Sequence, residues 1–258
     1  MCFDLDSRPP IIPIAGGALD SAHLTLTADD GGTFATFRAR ATEPAGTGII
    51  VLPDVRGLHP YFEELALRFA EHGVDAVAID YFGRTAGAEP RGDDFEYMPH
   101  VSQTTWAGLG ADIRAAAADL RSPAGGSVRS LFTIGFCMGG RLSFLAATLG
   151  LELAGVIGFY GWPVGPSRND TPAPVEMTGL MASPVLAIFG GADQGIPASA
   201  IAEFDGALAS AGVEHEVVTY PDAPHSFFDR KSGEFADTSE AAWQATLGFI
   251  RARTAPAD

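Results

Sequence analysis

Ser130-Leu-Phe-Thr-Ile-Gly135-Phe-Cys137-Met-Gly139-Gly140-Arg-Leu-Ser-Phe-Leu145 decides how this chain folds. A short apolar run ends in Gly-Phe-Cys-Met-Gly, and apolar residues then recur at helical spacing (Leu142, Leu145, Ala146, Leu149). Cys137 therefore falls on the bend between a buried strand and a helix. Such a bend, a nucleophile elbow with Cys in place of Ser, forces its central residue into a strained backbone conformation. It also brings helix and strand so close that the flanking positions, here Gly135 and Gly139, have room only for glycine. The central side chain is held clear of its own backbone and faces the positive end of the following helix, which favours a thiolate. Taken alone, Gly-X-Cys-X-Gly also fits a buried structural cysteine between packing glycines, so the rest of the chain has to supply the context.

Outward from the elbow, continuous apolar runs at 49–52, 75–79, 130–135, 155–159, 185–189 and 216–220 alternate with helical patterns at 61–72, 103–121, 139–149, 198–211 and 239–252. Apolar strands separated by amphipathic helices predict an α/β fold, a mostly parallel sheet covered on both faces. Ahead of them, residues 23–40 alternate apolar and polar around Asp29-Asp30-Gly31-Gly32, an N-terminal β-hairpin. Residues 1–20 are rich in Pro and Gly without a period and read as an arm or lid, leaving 21–258 as a single domain. Pro- and Gly-rich stretches at 82–99 and 162–174 follow strand ends, where sheets of this kind carry their binding loops.

A nucleophile at an elbow needs a base, and the base needs an orienting carboxylate, in the chain order nucleophile, acid, histidine. The run Pro184 to Gly191 leads into Ala192-Asp193-Gln194, and the last strand leads into Ala223-Pro224-His225-Ser226. Asp193 and His225 thus follow strand ends on the edge that carries Cys137. Asp222, three residues before His225, is the rival for the orienting acid, but a loop neighbour is badly placed to reach the far imidazole nitrogen. Met138 and Val55, in the loop after the first core strand, are the expected backbone donors of an oxyanion hole. Arg84 stands after the second core strand, either as a surface residue or as a contact for a substrate anion.

With 258 residues, 47% of them hydrophobic and 19% charged, the chain is globular, and its apolar runs are too short to span a membrane. A net charge of −16 repels phosphate backbones and anionic lipid surfaces, which argues against nucleic-acid and membrane partners. The acidic, proline-bearing start is unlike a secretory signal, and two cysteines, Cys2 and Cys137, make no disulfide framework; both point to a cytoplasmic setting. The remaining reading for an activated thiol is redox sensing without catalysis, and a second thiol beside Cys137 would favour it; Cys2 is the one candidate.

In combination, Gly135-Phe-Cys137-Met-Gly-Gly, Gly190-Gly-Ala-Asp193, Pro224-His225-Ser-Phe, Asp80-Tyr-Phe-Gly-Arg84 and Gly158-Phe-Tyr160-Gly resemble the dienelactone hydrolase family, the cysteine branch of the α/β-hydrolases. The resemblance covers nearly the whole chain after the arm. It implies an α/β-hydrolase fold and hydrolysis of a small ester or lactone, with Cys137, His225 and Asp193 as triad and without metal or cofactor. It also implies that Arg84 faces the substrate carboxylate, with Tyr160 and Arg230 as further substrate contacts, in a monomer or homodimer. Two departures stand out. Asp54 occupies the place of a family glutamate that acts as an auxiliary carboxylate toward the thiol. The arginine expected four residues after the histidine is displaced to Arg230, with Asp229 in its place.

Overall fold

β3 (Thr47–Leu52), β4 (Val74–Ile79), β5 (Ser130–Phe136), β6 (Gly155–Phe159) and β7 (Val185–Gly190) are buried along their whole lengths. Apolar side chains on both faces of these strands can be covered only by helices on both sides, which is why the runs read as continuous rather than alternating. In the computed structural model, which describes residues 4–92 and 94–256, they form the centre of one eight-stranded sheet. β1 (Ala18–Thr27), β2 (Thr33–Ala41) and β8 (His215–Tyr220) complete it in the order β1-β2-β4-β3-β5-β6-β7-β8. From β4 to β8 all pairings are parallel, whereas β1, β2 and β4 pair antiparallel. β1 begins at Ala18, so the last residues of the stretch read as arm belong to the hairpin.

The helices follow from capping and from their apolar faces. α1 (Pro60–Glu71) starts with Pro at its first position, is capped by His59, and buries Tyr61, Phe62, Leu65 and Phe69. α4 (Trp106–Arg121) starts three residues later than the pattern predicts, because Thr105 is extended and its hydroxyl accepts from the Gly108 N–H at 3.1 Å. α5 (Met138–Ala146), α7 (Ala198–Ser210) and α8 (Ala236–Arg253) lie near their expected places. Short helices α2 (Gly83–Ala86), α3 (Tyr97–Val101) and α6 (Pro174–Met177) lie in or beside the stretches read as loops, since a single turn is too short to show a period. No helix among the described residues is long and apolar enough to cross a membrane.

Chain order reverses between β3 and β5: from β3 the chain moves to β4 on one side, then returns past β3 to β5 on the other. The crevice at the carboxyl ends of those strands is where open α/β sheets bind ligands. Leu52 of β3 pairs with Gly135 of β5, so the loops that carry Val55 and Cys137 leave the sheet side by side. Residues 4–17 lie along α1, where Ile14 N–H donates to Glu71 at 2.9 Å and Arg8 pairs with Glu64.

Candidate active site

Cys137 has φ 54° and ψ −111°, a conformation that L residues adopt only under constraint. The constraint is the contact between α5 and the sheet. A Cβ on Gly135 would lie 1.9 Å from the Gly139 carbonyl oxygen, and one on Gly139 would lie 2.0 Å from that of Leu52. The Cys137 N–H is in turn held by the Phe159 carbonyl at 3.0 Å. Two more non-glycine residues with positive φ stand nearby in the fold, Tyr160 at 38° and Ser226 at 61°.

His225 Nδ1 lies 2.6 Å from Asp193 Oδ2, and Asp193 Oδ1 accepts from the Gly195 N–H at 2.8 Å. The buried carboxylate is thereby fixed in one orientation, and its second oxygen holds the imidazole with the proton on Nδ1. The Tyr160 ring packs against the imidazole, centroids 4.8 Å apart. Asp222, the rival acid, is exposed. Cys137, Asp193 and His225 line one cavity of about 830 Å³, and so do Val55 and Met138. Met138 opens α5, where the first N–H groups have no acceptor within the helix. Tyr160 and Arg230 line the same cavity.

A model of the dienelactone hydrolase family matches residues 34–254. The chain belongs to the dienelactone hydrolase family. A Salmonella typhimurium protein named as a putative carboxymethylenebutenolidase is 31% identical over 94% of this chain and 91% of its own length. An Escherichia coli O157:H7 protein with the same name is 30% identical over 89% of this chain and 86% of its own. Among solved structures, one titled a putative dienelactone hydrolase from Klebsiella pneumoniae superposes with a TM-score of 0.78 at 26% identity, covering 90% of this chain and 98% of that one. Membership makes the chain an ester or lactone hydrolase on an α/β scaffold, the fold and enzyme class that the motifs imply.

Within that family frame, Arg84 departs from the expectation that it meets the substrate. It does not line the cavity; its guanidinium is 2.6 Å from Asp112 and 2.8 Å from Asp30 at the turn of the hairpin. Two carboxylates from other elements capture a side chain that strand order alone aims at the crevice rim. The auxiliary position is also different. Asp54 receives the Arg56 guanidinium at 2.9 Å and the Arg56 N–H at 2.9 Å, and it is not among the lining residues. Arg56 reaches Asp229 at 2.5 Å, and Ser7 donates to Asp229 at 2.5 Å, so the stretch read as arm or lid is tied down beside the histidine loop. No described residue of that stretch lines the cavity, and Cys2 lies outside the described residues.

Burial pushes the Asp229 carboxyl up to about 6, against the pull of Arg56. A folded-state value above the ordinary ~3.9 means that the native chain binds this proton more tightly than the unfolded chain. The stabilisation is complete below about pH 4 and is lost as pH rises through 6. Two decades of proton affinity at ~1.4 kcal/mol each correspond to a loss on the order of 3 kcal/mol. Urea unfolding of Asp229→Asn beside the parent is expected to show the parent's stability relative to the variant falling by that order between pH 4 and pH 6. A constant difference across the window would contradict it. Asp112, also raised to about 6 by burial, titrates in both proteins and cancels.

Arg141 was not singled out by sequence reasoning. It sits one turn after Cys137, and its buried guanidinium donates to the carbonyls of Trp162, Gly165, Thr171 and Pro172 at 2.8–3.1 Å. Burial lowers its pKa to about 10, against the pull of Glu176, which still leaves it charged. A planar fork with five donors can satisfy several carbonyls at once, and here it fixes a loop that has no regular structure of its own. The visible signal was a charge among Leu142, Phe144 and Leu145 on a helix that the sheet must cover.

Proposed function

We propose that the chain hydrolyses an ester or lactone through a thioester on Cys137. The Cys137 thiolate attacks the carbonyl carbon, and the N–H groups of Met138 and Val55 hold the resulting oxyanion. Collapse of that intermediate breaks the C–O bond, and protonated His225 gives its proton to the departing alcohol oxygen. His225 then takes a proton from water, whose oxygen attacks the thioester. The carboxylic acid leaves and the thiolate is restored. Asp193 keeps the proton of neutral His225 on Nδ1, which leaves Nε2 as the base. No step calls on a metal or an organic cofactor.

The observation that supports this reading best is the 2.6 Å contact between Asp193 and His225, with both residues and Cys137 lining one cavity. The name carboxymethylenebutenolidase, borne by the relatives, adds lactones to the substrate range. In this reading Asp54 is the auxiliary carboxylate, with its charge already shared with Arg56. Tyr160 buttresses the imidazole and borders the substrate. Arg230, together with Arg168, supplies the positive charge that Arg84 does not bring to the cavity. Both arginines are exposed, and pairs of that kind contribute about 1 kcal/mol or less, so neutral esters are substrates alongside carboxylated ones. The test is mass spectrometry of protein quenched during turnover of a matched neutral and carboxylated aryl ester. The acyl group is expected on the Cys137 peptide from both. Ester consumption with no adduct on that peptide at any quench time, or with the adduct on another residue, would overturn the thioester route.

A further inference from the structure

The cavity that Cys137 lines is larger than a five-membered lactone requires, and part of its lining forms an apolar compartment. The cavity's total of about 830 Å³ lies in the upper part of the range for sites that enclose drug-sized ligands. The compartment is bounded by Tyr97, Met98 and Val101 of α3, by Leu142 of α5, and by Trp162, whose indole stands partly exposed at the rim. Four of these side chains are apolar or aromatic, and Tyr97 adds a phenol. Of the polar residues lining the same cavity, Arg141 is held by loop carbonyls, Ser167, Arg168 and Thr171 belong to the loop after β6, and Asp193, Gln194, His225 and Arg230 to the loops after β7 and β8.

The walls are fastened to one another. Arg141 gathers four carbonyls of the loop from Trp162 to Pro172. The same loop is tied to the junction of α3 and α4, where Asn169 Nδ2 donates to Thr104 Oγ1 at 2.8 Å and the Trp106 N–H donates to Asp170 at 2.5 Å. A compartment built this way exists before ligand arrives, and filling it requires little ordering of the protein.

Sheet order tells which part of an ester lies there. α3 follows β4, on one side of β5 and its nucleophile, and the loop that carries Trp162, although it follows β6, is drawn to the α3–α4 junction by Asn169 and Asp170. Asp193 and His225, by contrast, come from the loops after β7 and β8, on the other side. The alcohol oxygen has to sit beside His225 to receive its proton, so the substituent on the opposite side of the reacting carbon extends toward α3. We propose that this compartment takes an apolar acyl chain of medium length, and that the preferred substrates are esters of such acids rather than short ones. The inference rests on the hydrolase reading above.

The test is steady-state kinetics of the full chain on p-nitrophenyl acetate, butyrate, hexanoate and octanoate, beside a series of acetates with lengthening alkyl alcohols. Burial of each methylene is expected to raise kcat/KM by up to about fourfold, with hexanoate exceeding acetate by about tenfold or more. The alcohol series is expected to stay within about threefold of flat, by the same measure. Met98→Trp, which fills the compartment from a half-buried position, and Trp162→Ala, which removes part of its wall at the rim, are each expected to lower the hexanoate-to-acetate ratio at least threefold in protein with parental circular dichroism. A flat acyl series with measurable acetate turnover, an unchanged ratio in both variants, or dependence on the alcohol instead would overturn the assignment and leave the hydrolase reading standing. Absence of turnover for every ester, with no acylation of Cys137, would instead overturn the hydrolase reading.

Discussion

Cys137→Ala is expected to lower kcat/KM for aryl esters by roughly 10⁴ or more while leaving the fold unchanged. Removal of a covalent nucleophile leaves the enzyme with substrate binding and oxyanion stabilisation alone. Alanine keeps the Cβ, so the backbone at φ 54° bears the same steric cost as before, and Gly135 and Gly139 still meet their neighbours as they do in the parent. Parental near- and far-ultraviolet circular dichroism together with lost turnover is the expected pair of results. Activity above about 1% of the parent in purified variant would remove Cys137 from the mechanism. Cys137→Ser is expected to be nearly as poor. A hydroxyl is far harder to deprotonate than a thiol, so His225 would have to remove its proton during the attack, whereas the thiol of the parent is already ionised when it attacks. A serine variant as fast as the parent would show that thiolate chemistry is not required.

Asp193→Asn carries the second large effect, a loss of roughly 10³–10⁴ in kcat. Oδ1 accepts from the Gly195 N–H and Oδ2 faces His225 Nδ1. In the amide only one of these atoms remains an oxygen. If it stays on Gly195, the NH₂ group meets Nδ1 as a donor and drives the imidazole proton to Nε2, where the base should be. If it stays on His225, the NH₂ group opposes the Gly195 N–H. Neither arrangement keeps both bonds, and the shape of the side chain is preserved, so the loss is one of proton placement. Asp222→Asn, at an exposed position, is expected to stay within about twofold of the parent. Steady-state kinetics of the two variants side by side checks the pair, and the reverse ranking would transfer the orienting role to Asp222.

The central sheet was legible because strands covered on both faces have no choice but to be apolar throughout. Each of the six runs falls within two residues of an observed strand end, and the chain order of the matched motifs carried the family. What escaped was anything decided by a partner distant in sequence. Arg84 stands where strand order puts a rim residue, but Asp30, in a hairpin turn 54 positions earlier, and Asp112 of α4 hold it elsewhere. Asp229 and Arg230 are adjacent, yet one turns inward to Arg56 and the other lines the cavity, a choice made by a guanidinium 173 residues away. α3 was invisible because five residues make one turn. Its importance to the cavity depends on the loop after β6, which in turn depends on Arg141.

Cys137, Tyr160 and Ser226 all hold a backbone conformation that glycine adopts at no steric cost. Each departure costs of order 1–3 kcal/mol, comparable together to a sizeable share of a domain's ~5–15 kcal/mol net stability. Relief of backbone strain would favour glycine at Cys137 and Ser226, but at Tyr160 the buried ring packed on Phe136, Phe159 and Phe227 contributes more than the strain costs. The chain keeps the thiol, the phenol that packs on the imidazole, and a serine directly after the histidine. At Cys137 and Ser226 the folding landscape therefore retains a local conflict, and glycine there is expected to relieve strain at the expense of the site, whereas Ser127 and Glu152, with φ of 53° and 50°, carry the same strain outside the cavity lining.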